Sequence, residues 1–262
     1  MKIILHADDF GYDKDTTEAT IELLESGALT SATIMANMPC TKEACEYAAK
    51  HPELSFGVHL TYVDGLEPCT TNIPTLVDAG GKFFPSNDVR KLALMFKLKK
   101  LDIVCESLAQ IKILTDADVK VSHLDSHGHL HKFPSFLLAL NDITQQSGVK
   151  KVRMVQNMFL SQPKTTPATI LNSFFAAYIA RRFKSTDYFY MSANSMDTHW
   201  SDALLEHLDK LSQNAIVEVG VHPGINSKGD EAWRLEEYLD IKEFADKIRK
   251  DGKHQIITWN EV

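Results

Sequence analysis

About eight short β-forming runs alternating with helix-like stretches constrain this chain more than any other feature of its sequence. "KIILHA" leads into a helical pattern from about Thr16 to Ser26 that Gly27 stops, then come "SATIMA" and "TKEACEYAAK". The alternation continues through "SFGVHLT", a helical stretch over 89–114, "VKVSHLD", a helix opening near "FPSFLLAL", "KVRMV" and a helix over 167–183. It ends with "YFYMSA", a helix over 202–212, "AIVEVGV", a helix over 241–250 and "QIITW". Strands joined through helices run parallel, because a helical crossover returns the chain to the same end of the sheet. No composition break or Pro/Gly/Ser-rich linker divides the 262 residues. The pattern therefore predicts an α/β fold, one domain over 1–262, closed into a barrel related to the (β/α)8 type, with an open doubly wound sheet as the runner-up. Segments 62–88 and 156–166, rich in Pro, Gly and Thr, read as long loops of the kind that compact domains keep where they shape a site.

Strands of a parallel sheet are usually apolar on both faces, and several of these are not. Along "FGVHL", Phe56, Val58 and Leu60 share one face while Gly57 and His59 share the other. Along "VSHLDSH", His123, Asp125 and His127 fall together, and along "IVEVGVH", Glu218, Gly220 and His222 oppose three valines. Polar groups thus gather on one face near the C-terminal ends of the strands, where barrels of this type keep their chemistry. "LHADDFGYD" delivers Asp8 and Asp9 to the same end. Neighbouring residues at a strand end point in different directions, so one carboxylate can bind a cation while the other moves a proton. A carboxylate with two imidazoles is a common divalent-metal set with open positions, and Asp9, His59 and His127 can supply it.

Each feature taken alone has a plainer explanation. Paired aspartates shortly before a glycine, as in Asp-Asp-Phe-Gly at 8–11, are most often a turn or a helix cap, a single His59 is more often a satisfied core histidine, and His222 before Pro223 fits a loop as well as a catalytic position. "HLDSHGHLH" is harder to set aside, since four of the eleven histidines within nine residues do not suit a core. His129 and His131 fall beyond the strand, in places suited to substrate contact or support of the ligands.

Other partners and chemistries are disfavoured. A net charge of −7 without a basic block offers nothing to a phosphate backbone, so no nucleic-acid partner is expected. "MKIIL" is too short for a secretory leader and no apolar run approaches the roughly 18 residues of a membrane span, so a cytoplasmic protein with no membrane partner is expected. Cys40, Cys45, Cys69 and Cys105 follow no metal or disulfide spacing and read as reduced thiols. There is no GxGxxG, no GxxxxGK[ST] and no GxSxG. "HLD" matches half of an iron-oxygenase facial triad, which belongs to an all-β fold that the helices contradict. The acidic stretch "GDEAWRLEEYLDIKEFADKIRK" reads as a solvated outer face.

"HADDFG", "GALTSATIMAN", "GVHLT", "SHLDSHGHLHKFP", "EVGVHPG" and the closing strand resemble, in order and over nearly the whole chain, the YdjC-like carbohydrate deacetylases, which include the bacterial chitooligosaccharide deacetylases. The resemblance implies a distorted TIM-like (β/α) barrel related to polysaccharide deacetylases. It also implies a metal-dependent hydrolase that removes N-acetyl groups from N-acetylglucosamine-containing oligosaccharides. By motif position Asp8 becomes the general base, Asp9, His59 and His127 the metal ligands, and His222 the general acid. Family descriptions name magnesium, while two imidazoles beside one carboxylate suit zinc or another transition metal better. His6 stands where the family often has Asn, and Gly128 where it often has a further His, so both bear on metal preference and substrate fit. The roles of His6, His123, His129 and His131 stay open. Two other readings remain: a metal-dependent barrel of different sugar chemistry, an isomerase or phosphoesterase, which acetate release would separate, and a non-catalytic sugar-binding protein, against which the complete set of five residues argues. A homodimer is the commonest assembly for such a protein.

Overall fold

The computed structural model describes residues 1–160, 166–192 and 199–262. Among them, β1 (Lys2–Phe10), β2 (Ser31–Ile34), β3 (Ser55–Leu60), β4 (Val121–Ser126), β5 (Tyr188–Met191), β6 (Ile216–Val221) and β7 (Gln255–Ile256) form a single sheet. Every pairing is parallel, in the order β4-β3-β2-β1-β6-β5, with β7 beside the start of β1. The sheet curls into a (β/α) barrel, as the alternation predicts, in the distorted form that the resemblance implies.

One expected strand is absent. "KVRMV" makes only isolated bridges, Leu124 with Val152 and Lys151 with Lys184. Leu124 N–H donates to Lys151 O and Arg153 N–H to Leu124 O, both at 2.9 Å, after which the backbone leaves the β4 register. Its next bonds, from Asn157 and Met158 N–H at 3.3 and 3.2 Å, converge on Phe189 O of β5. The gap between β4 and β5 is therefore closed by irregular chain, which is where the barrel is distorted. The last residue of "YFYMSA", Ala193, and residues 161–165 of the second expected loop lie outside the described residues.

The helices start and stop for local reasons. Asp13, in extended conformation, accepts from Thr16 N–H at 2.8 Å and opens α1 (Lys14–Glu25). After α2 (Thr41–Lys50), the single helix expected over 89–114 is two, α3 (Ser86–Leu94) and α4 (Lys100–Asp116), because Phe96 takes a positive φ of 55° that no helix continues through. The buried side of α4 carries Asp102, Glu106 and Gln110 at i, i+4, i+8. They satisfy the loop before it: Thr75 N–H donates to Asp102, Cys69 and Thr70 N–H to Glu106, and Thr61 N–H to Gln110. α5 (Pro134–Ser147) begins with proline and ends at Gly148 with φ 78°, and α6 (Pro167–Arg182) and α7 (Trp200–Leu208) follow.

α8 (Trp233–Asp251) begins eight residues before the expected 241 and is not the solvated outer face expected of this stretch. Tyr238, Ile241, Phe244, Ala245 and Ile248 form a continuous buried stripe, and Arg234, Glu237 and Asp240 extend it toward the N-terminus. Arg234 and Glu237 are buried because they reach the C-terminal end of the sheet, and Asp240 because it accepts the His199 backbone N–H ahead of α7.

The outer face of the sheet is apolar and packs beneath the helices, with Ile3, Leu5, Ala32, Val58, Leu124 and Val219 among its buried residues. The inner face carries His6, Asp8, Ser31, Thr33, His59, His123, Asp125 and Glu218, all buried. Ile4, Ile257 and Trp259 plug its lower end. Space inside is scarce: a Cβ on Gly57 would lie 2.7 Å from His123 Cε1, His123 O and Thr33 Cγ2. Gly57→Ala should therefore lower stability by about 1–3 kcal/mol in urea unfolding, more than Gly220→Ala, whose new methyl meets only the side chains of Met191 and Phe189. Equal midpoints for the two variants would contradict a rigid inner face.

Candidate active site

Burying so many polar groups costs free energy unless each finds a partner, and the inner face is built as one network. The His6 ring lies 2.8 Å from Ser31 Oγ and 3.1 Å from Thr33 Oγ1. Ser31 Oγ donates to Ser55 O at 3.0 Å, so its bond with His6 takes its proton from the imidazole Nδ1. Thr33 Oγ1 donates to Asp125 Oδ2 at 3.0 Å, and His59 Nδ1 donates to Asp125 Oδ1 at 2.8 Å. His123 stacks on Trp259, centroids 4.2 Å apart and planes 8° from parallel.

Arg153 is the hub. Fully buried, it pairs closely with Asp125, places Nη1 2.9 Å from Asp8 Oδ2, and donates to Glu218 Oε1 from Nε at 3.0 Å and Nη2 at 2.8 Å. One guanidinium thus holds three carboxylates. Burial, opposed by Arg153, pushes the Glu218 carboxyl up to about 7. For Asp8 burial raises the pKa, but Arg153 and then His59 and His222 outweigh it and hold the group below its usual range.

Asp8 and Asp9 separate because β1 breaks its regularity between them. The register with β2 shifts between Ala7 and Phe10, and Asp9 has φ 60°. Such backbone is unfavourable for a residue with a side chain and persists only where its surroundings impose it. The bulge sends Asp8 inward to Arg153 and turns Asp9 toward the opening of the barrel.

Asp9 there meets the two predicted imidazoles. His127 Nδ1 lies 3.1 Å and His59 Nε2 3.4 Å from Asp9 Oδ1. His127 is the first residue past β4, on a 3-10 turn in which Gly128 and His129 take φ values of 61° and 54°. Arg234 Nη2 holds the other oxygen, Asp9 Oδ2, at 3.0 Å.

Asp9, His59 and His127 are one of three groups among the described residues whose donor atoms lie close enough to share a metal ion. The others, His6/His123/Glu218 and His6/Asp8/Asp125, have every carboxylate already on Arg153, an internal cation that a metal would have to displace. In the first group the carboxylate is also held by an arginine, but Arg234 takes Asp9 Oδ2 only and leaves Oδ1 facing the two imidazoles. His59 shows the consequence: burial lowers its pKa, but Asp125, Asp8 and Asp9 outweigh this and raise it to about 9. The imidazole takes up a proton where positive charge is wanted. Its Nδ1 bond to Asp125 leaves Nε2 facing Asp9, the arrangement usual behind a metal-bound histidine. The donor set fits a divalent ion.

His222 stands on the other side of Asp8, with Nε2 3.8 Å from Asp8 Oδ2. Its Nδ1 is 3.2 Å from Glu237 Oε2, which also accepts from the His222 backbone N–H at 2.5 Å, while Ser192 Oγ donates to Glu237 Oε1 at 2.8 Å. Burial lowers the His222 pKa, but the hydrogen bond and charge of Glu237, then Asp9 and Asp8, outweigh it, and the net shift is upward. Asp8, Asp9, His127, His222, Arg90 and Trp233 all line one cavity of about 440 Å³.

The structure thus brings Asp8, Asp9, His59, His127 and His222 around one opening. His6 and His123 lie deeper, in the network. His131 pins the 3-10 turn through Ser126, and burial pushes its pKa down to about 3. His129 lines the cavity. Sequence reasoning passed over Arg153, Arg234 and Glu237. An arginine on the polar parity of "KVRMV", and a helical stripe continued upstream from Ile241 to Tyr238, Glu237 and Arg234, were the signals available.

The family model described as YdjC-like protein matches residues 2–250. The chain belongs to that family. Its curated relatives include a carbohydrate deacetylase of Vibrio parahaemolyticus serotype O3:K6, 27% identical over 255 residues that make up 96% of this chain and 90% of that protein. Another, from Brevibacillus brevis, is 36% identical over 137 residues, 52% of this chain and 53% of that protein. The chain thus spans about half the length of the Brevibacillus relative. In three dimensions it is similar to a crystal structure from Enterococcus faecalis V583, provisionally described as a cellobiose-phosphate cleavage protein, with TM-score 0.77, 22% identity, and coverage of 99% of this chain and 98% of that one. The YdjC-like fold is thereby established.

Two outcomes follow from the charges. Arg153→Met would leave Asp8, Asp125 and Glu218 without their shared cation and should cost about 3–5 kcal/mol in unfolding experiments, whereas a cost below about 1 kcal/mol would deny Arg153 its central place. Ligation at His59 must displace the proton held with a pKa of about 9. Metal binding at pH 7 to 8 should therefore release about one proton, and affinity should rise with pH up to about 9 and then level off. Calorimetry in buffers of different ionisation enthalpy measures this, and no proton release would remove His59 from the ligand set.

Proposed function

We propose that this chain is a metal-dependent carbohydrate deacetylase that hydrolyses N-acetyl groups on N-acetylglucosamine-containing oligosaccharides. The observation that carries the reading is the division of labour at Asp8 and Asp9, which the bulge at φ 60° turns toward different partners. The curated relatives named carbohydrate deacetylase support the reaction class.

A divalent ion held by Asp9, His59 and His127 would supply Lewis-acid polarisation of the acetyl carbonyl and of water. Asp8, ionised at neutral pH under the pull of Arg153, is the base that takes the proton of the attacking water. His222, whose pKa Glu237 raises and which stands 3.8 Å from Asp8, is the acid that delivers a proton to the departing nitrogen. Glu237 holds the imidazole through Nδ1 and leaves Nε2 for the reaction. Two imidazoles beside a single carboxylate favour zinc or another transition metal over magnesium.

Acetate release from a panel of N-acetylated mono- and oligosaccharides, with metals added back after chelation, tests the proposal directly. A sugar isomerase or phosphoesterase would release none. Asp9→Asn should weaken metal binding, whereas Asp8→Asn should keep the metal and substrate and lose about 10²–10⁴-fold in kcat, because an amide keeps the shape but cannot accept the proton. An Asp8→Asn enzyme with wild-type turnover, or one without metal, would sink the assignment.

A further inference from the structure

The cavity contains one aromatic residue that neither the core nor the proposed chemistry explains. Trp233 is the first residue of α8, half-buried, and lines the cavity beside His222, the ring centroids 5.5 Å apart and the planes at 78°. The other two tryptophans are structural: Trp200 and Trp259 are 1% and 0% exposed and sit in apolar clusters. Trp233 packs in none of those clusters.

Its orientation is nevertheless held. The guanidinium of Arg234 lies over the indole at 5.0 Å and over the Tyr12 ring at 5.5 Å, while Nη2 of the same group bonds Asp9 Oδ2 at 3.0 Å. The cation backs one face of the indole and ties it to a proposed metal ligand. His222 meets the indole in an edge-to-face contact, and among the described residues the indole N–H makes no hydrogen bond, so the half-buried ring keeps surface and a donor toward the cavity.

We propose that Trp233 is a sugar-stacking platform of the site, a specificity-determining residue on which the substrate pyranose lies while its acetamido group reaches Asp8 and Asp9. The inference rests on the deacetylase reading for the identity of the reacting group, and on the indole alone for the class of ligand. A pyranose with equatorial substituents presents axial C–H bonds on its faces, and these match the negative face of an aromatic ring. Polar Arg90 and Gln156 line the same cavity, and an apolar platform among polar groups suits a sugar better than an aliphatic or a peptide acetamide. Backing of the indole by Arg234 fixes the platform relative to Asp9, which places the ring and the reacting centre in one rigid frame.

The location of the three tryptophans makes the test direct, since the other two are shielded. The fully deacetylated glucosamine trimer, a product that cannot turn over, is titrated into the metal-supplemented protein while tryptophan emission and acrylamide quenching are followed. Binding should shift the emission and reduce quenching, and Trp233→Phe should abolish both changes. With the N-acetylglucosamine trimer as substrate, Trp233→Ala should raise KM about tenfold or more, a larger effect than its effect on kcat, and Trp233→Phe should recover most of it. Leu235→Ala, an exposed position of the same helix, serves as the control. Trimer binding detected by calorimetry without any change in emission or quenching, an unchanged KM in Trp233→Ala, or no trimer binding at all would each overturn the platform. Acetate release with an indifferent Trp233 leaves the deacetylase reading standing, whereas a tryptophan response without acetate release sinks that reading and keeps the platform.

Discussion

A single guanidinium in the interior of the barrel organises this molecule. Arg153, excluded from water, holds Asp8, Asp125 and Glu218 together, and none of the three carboxylates tolerates burial without it. The five N–H donors that a guanidinium offers in one plane suit this task, since a lysine would give a point charge without the fork. Everything else in the inner network is arranged around that contact. Asp125 is fixed from the other side by Thr33 and His59, and Glu218 accepts the Trp259 indole N–H at 3.3 Å, so the plug of the barrel and its opening are connected through one side chain.

The second constraint is electrostatic. Arg153 neutralises carboxylates low in the barrel, which leaves Asp9 and its two imidazoles at the opening as the place where added positive charge is favourable. The upward shift at His59 and the downward shifts at Asp8 and Asp9 are aspects of one charge distribution, in which carboxylates raise the imidazole while Arg153 and the imidazoles lower the carboxyls. Arg234 contributes on the far oxygen of Asp9, so the carboxylate turns a single oxygen toward the histidines.

α8 shows how one helix serves both core and site. Its C-terminal two-thirds buries apolar residues against the outer face of the sheet, while its first turn reaches over the strand ends with Trp233, Arg234 and Glu237. Glu237 and Arg234 are three residues apart, on one side of the helix, so packing of the stripe places His222 and Asp9 under the control of the same rigid element.

The alternating periods of the sequence determined the parallel α/β barrel, and the interrupted apolar pattern of β3, β4 and β6 determined which strand ends carry polar groups. These are local facts: side-chain parity along a strand and stripe along a helix follow from backbone geometry alone. His59, His127 and Asp9 were legible for that reason. "KVRMV" has strand-like composition, yet it forms no regular strand, because pairing depends on where β4 and β5 present free edges. The helix over 89–114 divides at Phe96, whose φ of 55° carries no sequence signature. The burial of Arg153 and the reach of Arg234 and Glu237 across to Asp9 and His222 join residues from 15 to 225 positions apart. A charge is exposed or buried according to what folds over it, so the acidic stretch of α8 looked solvated until the barrel supplied its partners. Only the tertiary structure decided these contacts, since the energy of a buried charge belongs to the set of groups around it and not to the residue that carries it.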